Sequence, residues 1–226
     1  MRKNLANLFF GGSCFICRGA ASGILCAACD SDLPRLPASL CPRCALQSPQ
    51  SAVCGRCLAR PPNYDATLAA LAYAFPADAL VHALKFRSEL ALAPLMAQLL
   101  LKEILRHPVD CVVPVPLSAK RLRERGYNQA VEIARPLAAA ARVPLELTLC
   151  ERARDTPAQT DLPWAERERN VRGAFRCSRA LIGARIALVD DVMTTGATLG
   201  EIAATLKRAG ASSVVNWVVA RTFPPG

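Results

Sequence analysis

The chain has 226 residues, 52% of them apolar and 20% charged, which supplies an ordinary core plus a small second unit and excludes a mini-protein held by disulfides alone. Its formal net charge of +10 comes from 28 basic and 18 acidic side chains. The excess sits in two blocks, residues 1–60 with seven basic against two acidic and residues 117–179 with thirteen against eight; such blocks attract polyanions such as nucleic acid or substrate phosphates, and they also suit a solubilising surface.

At the start of the chain, Met1-Arg2-Lys3 followed by Leu5 to Phe10 is too short and interrupted for a signal core. Later apolar runs, Val109 to Val115 broken by Asp110 and Val214 to Ala220, fall short of the roughly 18 to 20 residues of a spanning helix. The expectation is a soluble, cytoplasmic protein with no transmembrane segment, peripheral association with the inner face of the membrane being left open.

Eight of the eleven cysteines form four Cys-x-x-Cys pairs: Cys14/Cys17, Cys26/Cys29, Cys41/Cys44 and Cys54/Cys57. Two thiolates at that spacing grip one tetrahedral ion from a tight turn, and a second pair completes a closed four-sulfur shell suited to Zn²⁺. The intervening gaps of eight and nine residues favour consecutive sites, Cys14/Cys17/Cys26/Cys29 and Cys41/Cys44/Cys54/Cys57, although interleaved pairing also satisfies the spacing. A closed shell leaves no open coordination position, so the zinc, two ions in this reading, is structural. With so few large apolar groups, this region should fold only with its metal, and the later domain should fold without it. Cys111, Cys150 and Cys177 stand alone and read as buried thiols.

Arg60-Pro61-Pro62-Asn63 breaks regular structure and divides the chain into a double zinc-ribbon module, 1–62, and an α/β domain, 63–226. In the latter, Thr67 to Phe75 reads as a strand or hairpin, and Ala77 to Arg106 as helix interrupted near Arg87-Ser88 and Pro94. Asp110 to Pro116 reads as a buried strand with a rigid turn, and Asn128 to Arg142 as a helix from the spacing of Ala130, Ile133, Ala134 and Leu137. Leu145 to Leu149 is a short strand candidate. The charged, proline-punctuated stretch Arg152 to Arg172 reads as a loop with one helical turn around Trp164 to Asn170. Arg185 to Val189 is a strand, Thr198 to Ala209 a helix ended by Gly210, and Ser213 to Arg221 a last strand. That alternation implies a parallel sheet flanked by helices, with ligands bound beyond the carboxyl ends of its strands.

The same rule singles out Ile186 to Thr198. Four apolar residues deliver Asp190 and Asp191 to a strand end, and Thr194, Thr195, Gly196, Ala197 and Thr198 follow directly before a helix. Backbone N–H groups at a helix start, the helix dipole and the threonine hydroxyls together favour a phosphate. Gly196 permits close approach, and the two acids can accept from a ribose diol or stand near Mg²⁺. Any one of these residues also suits an ordinary strand end or helix cap; the set together does not. Lys85-Phe86-Arg87 suits a local phosphate or nucleic-acid contact and, more simply, a snorkelling helix end, and His82 and His107 read as solvated helix-face residues.

Apolar strand, Asp-Asp, a variable pair and Thr-Gly-x-Thr resemble the phosphoribosyl pyrophosphate (PRPP) signature of type I phosphoribosyltransferases. Val113-Pro114-Val115-Pro116 with Arg123 to Gln129, and Thr156-x-x-Gln159 with Arg167-x-x-Asn170-Val171, resemble the ComF family of competence-associated proteins, to which GntX-like proteins also belong. With the cysteine pairs, the resemblance covers nearly the whole chain. It implies a type I phosphoribosyltransferase-like sheet behind the zinc ribbons, Asp190 and Asp191 on the ribose, and Thr194 to Thr198 on the 5′-phosphate. It also implies Lys120, Arg121, Arg123 and Arg125 on the pyrophosphate side, Mg²⁺ arriving with PRPP, and residues 152–172 in the place of a closing loop. The family resemblance implies a PRPP-binding protein of DNA uptake, contacting single-stranded DNA and a helicase or recombination partner. The alternative is an active phosphoribosyltransferase on an unidentified base. No residue names a nucleophile, so enzymatic turnover stays open.

Overall fold

Residues that alternate between two apolar environments form the centre of the sheet. In the computed structural model, which describes residues 12–104, 107–154 and 171–223, β1 (Ala66–Ala72), β2 (Cys111–Pro114), β5 (Arg185–Met193) and β6 (Ser213–Arg221) make a parallel four-stranded sheet in the order β1-β6-β5-β2. Ile186 and Leu188 of β5 join Val214 and Val218 of β6 in one core, while Ala187, Val189, Val215, Trp217 and Val219 join the other. This period-2 division of near-continuous apolar strands is what a doubly covered parallel sheet requires.

Helices α3 (Ala77–Phe86), α4 (Leu92–Ile104) and α6 (Gln129–Ala141) cover one face, and α7 (Ala197–Arg208) covers the other. The start of α6 is fixed by Asn128, whose side chain accepts from the Ala130 N–H at 2.9 Å and donates to the Val115 carbonyl at 3.0 Å. That pair of bonds ties the helix to the turn beyond β2. Ahead of the sheet lie α1 (Ala27–Ser31), α2 (Gly55–Ala59) and one turn of 3₁₀ helix, Pro49–Ser51.

Several expectations shift in detail. Pro94 does not interrupt α4; it occupies the first turn, where no intrahelical N–H is needed. Leu145 makes only an isolated parallel bridge to Val112, and the strand falls later as β3 (Cys150–Arg152), paired antiparallel with β4 (Phe175–Cys177). The basic turn after Pro116 is a helix, α5 (Ala119–Arg125), because the Ser118 side chain caps it by accepting from the Arg121 N–H, and Gly126 at φ 82° ends it in the left-handed region. Cys177 is half-buried, unlike Cys111 and Cys150, and its thiol donates to the Arg179 carbonyl at 3.1 Å. The helical turn read around Trp164 to Asn170 lies outside the described residues, as do Thr156 and Gln159.

The cysteine-rich region shares the cores of the sheet. Phe15, Ile24 and Leu33 belong to the core under α3 and α4, and Cys41, Cys44, Ala45 and Cys57 pack with Tyr64 in the core under α7. It also lines the outer edge of β1: Ala72 donates to the Pro34 carbonyl at 2.7 Å, Thr67 to the Pro42 carbonyl at 3.1 Å, and Arg35 bridges Leu71. The sheet and the cysteine-rich region thus share both of their apolar cores. The opposite edge, β2, is paired by residues 144–146 through Val112. No helix among the described residues is long and apolar enough to cross a membrane.

Candidate functional site

Strand β5 runs four residues past its Ile186–Val189 stretch, so that Asp190 and Asp191 stand near the carboxyl end of the sheet, with the 194–196 turn following Met193. Gly196 caps α7 from the left-handed region at φ 82°. A Cβ there would meet Met193 Cε at 2.7 Å and Tyr64 Oη at 2.8 Å, so both conformation and space demand glycine. No side chain caps the helix; the Thr195 hydroxyl instead accepts from the Ala197 N–H at 3.1 Å. Around the turn opens a cleft of ≈ 300 Å³ lined by both aspartates, residues 194–198, Lys85, Arg121, Gln129 and the Val115-Pro116 turn.

One cation serves two carboxylates here. Lys85, at the end of α3, places Nζ 2.7 Å from Asp191 Oδ2, and the Asp191 side chain is only 3% exposed. Burial alone would lower the Lys85 ammonium, but the Asp191 carboxylate outweighs it and Lys85 stands above its ordinary value. Asp190 is held well above the ordinary carboxylate range, first by desolvation and then by the adjacent Asp191 charge, with Lys85 offsetting only part. Two adjacent acids, one of them ion-paired to Lys85, thus stand beside a helix start whose cap residue has no side chain.

The acid pair and the threonine loop thus come together as their spacing predicts, whereas the basic cluster does not. Of Lys120, Arg121, Arg123 and Arg125, only Arg121 lines the cleft. Lys120 reaches Glu124 at 4.0 Å on the exposed surface, and Arg125 bonds Gln129 and stacks 5.5 Å over the Phe86 ring. His82 and His107 are exposed, as expected. Lys85 is no snorkelling helix end, since its ammonium is committed to Asp191.

Sequence reasoning also missed Arg221, the last residue of β6, which is 1% exposed. Its Nε donates to the Cys44 carbonyl at 2.8 Å, and its Nη1 donates to the carbonyls of Met193 at 2.9 Å, Thr194, and Thr222 at 2.7 Å. The one sequence signal was a charge closing an otherwise apolar strand. Arg56 of α2 similarly donates to the Thr195 carbonyl at 3.3 Å.

The eight cysteines gather as two consecutive sets, Cys14/Cys17/Cys26/Cys29 and Cys41/Cys44/Cys54/Cys57, with each set's sulfurs within 4.8 Å of one another. Cys17 and Cys26 are 3.7 Å apart at sulfur, and Cys44 and Cys54 are 3.6 Å apart. Tetrahedral zinc with Zn–S near 2.3 Å requires sulfurs about 3.8 Å apart, so the donor set fits structural zinc. Burial pushes the Cys14 and Cys41 thiols up, but backbone N–H groups aimed at the sulfurs, from Cys17 and Cys26 and from Cys54 and Cys44, outweigh it and bring them to about 6 and about 7. In the same sets burial pushes Cys29, Cys44 and Cys57 the other way, so each cluster without its ion holds a mixture of thiol and thiolate, and zinc must displace protons to bind.

A second groove of ≈ 1030 Å³ opens on the other side of the 195–197 turn, between that turn and the second cysteine set. Arg56, Arg60, Arg172 and Arg208 line it, with Glu201 as the one acid among the described residues. Arg43 is half-buried outside this lining.

Residues 5–58 match the model of the double zinc ribbon domain. Among solved structures, a purine phosphoribosyltransferase from Pyrococcus horikoshii aligns over 57% of this chain and 73% of its own at 16% identity and a TM-score of 0.37. Whole-length similarity is far stronger among curated proteins. DNA utilization protein YhgH of Salmonella typhimurium is 36% identical over 223 residues, and that of Escherichia coli K12 is 35% identical, each alignment spanning 94% of this chain and 98% of the relative. Competence protein F of Haemophilus influenzae is 31% identical over the same shares. With identity of this order running from the zinc ribbons through the acid pair to the last strand, the chain belongs to the ComF family of competence-associated proteins.

Proposed function

We propose that this protein binds PRPP with Mg²⁺ in the cleft at the ends of β2 and β5, and that it acts in DNA uptake by holding single-stranded DNA along the adjoining arginine-lined groove. The observation that carries the first half is the joint delivery of Asp190, Asp191 and the glycine-dependent turn to one strand end. In that arrangement the acids accept from ribose hydroxyls, and the turn and helix start take the 5′-phosphate. Arg121 would lie on the pyrophosphate side, where Mg²⁺ arriving with the ligand would share the charge of the diphosphate. Lys85 must give up Asp191, at least in part, for the ribose to be bound.

The second half is supported by the names of the relatives, a DNA utilization protein and a competence protein, and by four arginines against one acid, Glu201, among the described residues that line the groove. Phosphate contacts of that kind bind without sequence preference and weaken steeply with salt. Calorimetry with PRPP and Mg²⁺, alongside titration of labelled single-stranded DNA at low salt, tests both halves. Saturable PRPP binding lost in Asp191→Asn and salt-sensitive DNA binding support the reading. Failure of the wild-type protein to bind PRPP removes the first half, and failure to bind DNA removes the second. The acid pair would equally serve an active transferase, and pyrophosphate release from PRPP across purine and pyrimidine bases separates an enzyme from a binder.

A further inference from the structure

We propose that the second cysteine site holds the phosphate loop in shape, with Arg221 as the positioning residue that joins the two. The inference rests on the reading of residues 194–198 as a phosphate site. Its basis is the backbone of that turn.

In a planar trans peptide, the carbonyl of one residue and the N–H of the next point in opposite directions. Three consecutive carbonyls of the turn are taken by arginines: Met193 and Thr194 by Arg221, and Thr195 by Arg56. The N–H groups of Thr194, Thr195 and Gly196 are thereby turned away from the arginines. An anion site built from backbone donors depends on such orientation, because a single flipped peptide replaces a donor by an acceptor.

Both arginines are in turn fixed by the second cysteine set. Arg221 donates its Nε to the carbonyl of Cys44, one of the four ligands. Arg56 sits in α2 between the ligands Cys54 and Cys57. Tyr64 completes the connection: it packs with Cys41, Cys44 and Cys57, and its Oη fills the space a Gly196 side chain would need. The first set lies against the opposite core, through Phe15 and Ile24.

The chemistry of Arg221 fits a strut better than a contribution to stability. It is a buried cation with no carboxylate in ion-pair range among the described residues; its nitrogens donate to four carbonyls. The charge that partly offsets its burial is that of the Cys44 sulfur, itself a member of the second cysteine set. A planar fork that reaches carbonyls on two separate segments is something lysine cannot reproduce.

Hydrogen exchange on the full-length protein, followed in peptides covering 190–200, tests the strut without any ligand. Cys54→Ser and Cys26→Ser, both half-buried cysteines, should each lower zinc content by one ion. Only Cys54→Ser should speed exchange in the loop, by about tenfold. Arg221→Lys should keep both zinc ions and still speed loop exchange, which separates the strut from the metal. PRPP affinity, measured in parallel by calorimetry, should fall about tenfold in Cys54→Ser and Arg221→Lys and stay within about twofold in Cys26→Ser. Equal loop exchange in the two cysteine variants overturns the proposal, as does an unchanged loop in Arg221→Lys. Should Cys54→Ser open globally, with β5 and β6 exchanging as well, Arg221→Lys and Arg56→Ala decide, and protected loops in both overturn it. A wild-type protein that fails to bind PRPP while the exchange pattern holds removes the PRPP reading and leaves the strut.

Discussion

Replacing Asp190 by asparagine should stabilise the ligand-free protein while weakening the binding of PRPP. Lys85 is committed to Asp191 at 2.7 Å, so the second carboxylate of the cleft is left desolvated beside a like charge, and its pKa is raised well above 3.8. A group that holds its proton more tightly when folded than when unfolded favours the native state below its unfolded pKa, and it withdraws that stabilisation as pH rises through its folded value. At neutral pH the charged Asp190 is therefore a burden that asparagine, of nearly the same shape, does not carry. An inadequately paired buried charge costs about 1–3 kcal/mol, and half-burial puts Asp190 in the lower part of that range, about 1–2 kcal/mol. For a chain of this size that is about 2–8 °C in Tm. Thermal unfolding of both proteins without ligand, at neutral pH and at successively lower pH, should show the variant more stable at neutral pH, with the gap narrowing as acid protonates the wild-type side chain. A variant that melts lower than the wild type at neutral pH would refute the reasoning, and so would a gap that does not change with pH.

Purified protein should contain two zinc ions by elemental analysis, one for each four-cysteine set, and a chelator that strips them should unfold the cysteine-rich region. Gly196→Ala should destabilise by about 1–3 kcal/mol in chemical denaturation, because it forces a left-handed φ and a clash with Met193 and Tyr64 together. Lys85→Met leaves the Asp191 carboxylate buried without its cation; its stability should fall by about 3 kcal/mol, or about 6–12 °C in Tm. Arg60→Ala combined with Arg208→Ala in the larger groove should reduce the slope of log K against log salt for single-stranded DNA by about 1.4, at about 0.7 for each phosphate no longer neutralised.

What could be read from the chain was what neighbours in sequence decide. β6 keeps its expected limits, Ser213–Arg221, because the largely valine run Val214 to Ala220, broken only by Asn216, needs no distant information. The cleft's acids and turn were equally legible, since strand end, turn and helix start are contiguous. β3 was misplaced because Leu145 to Leu149 alternates like a strand, while Cys150–Arg152 is a strand only by virtue of Phe175–Cys177, a partner from beyond a long intervening segment. α5 was hidden by its charge: it has no apolar stripe, and only Ser118 and Gly126 at its ends mark it. Lys85 and Arg221 escaped for the reason β3 did. Each reaches the site from another part of the fold, and no local pattern records which carbonyl or carboxylate a side chain will meet.

The pairing of residues 34–35 and 42 along β1 bears on how this protein fails. A strand at the border of a sheet offers its unused N–H and C=O groups to any other strand that comes near. Here the cover over that border is held by segments whose shape depends on thiolates and metal. Oxidation of the cysteines, or growth without zinc, should therefore do more than loosen a terminal module: it should bare Thr67 and Ala72 and invite one molecule to add itself to the next. Material prepared in strong chelators would be expected to precipitate as strand-paired assemblies before its sheet melts, and thioflavin fluorescence appearing ahead of the loss of native β-structure is the signature to look for.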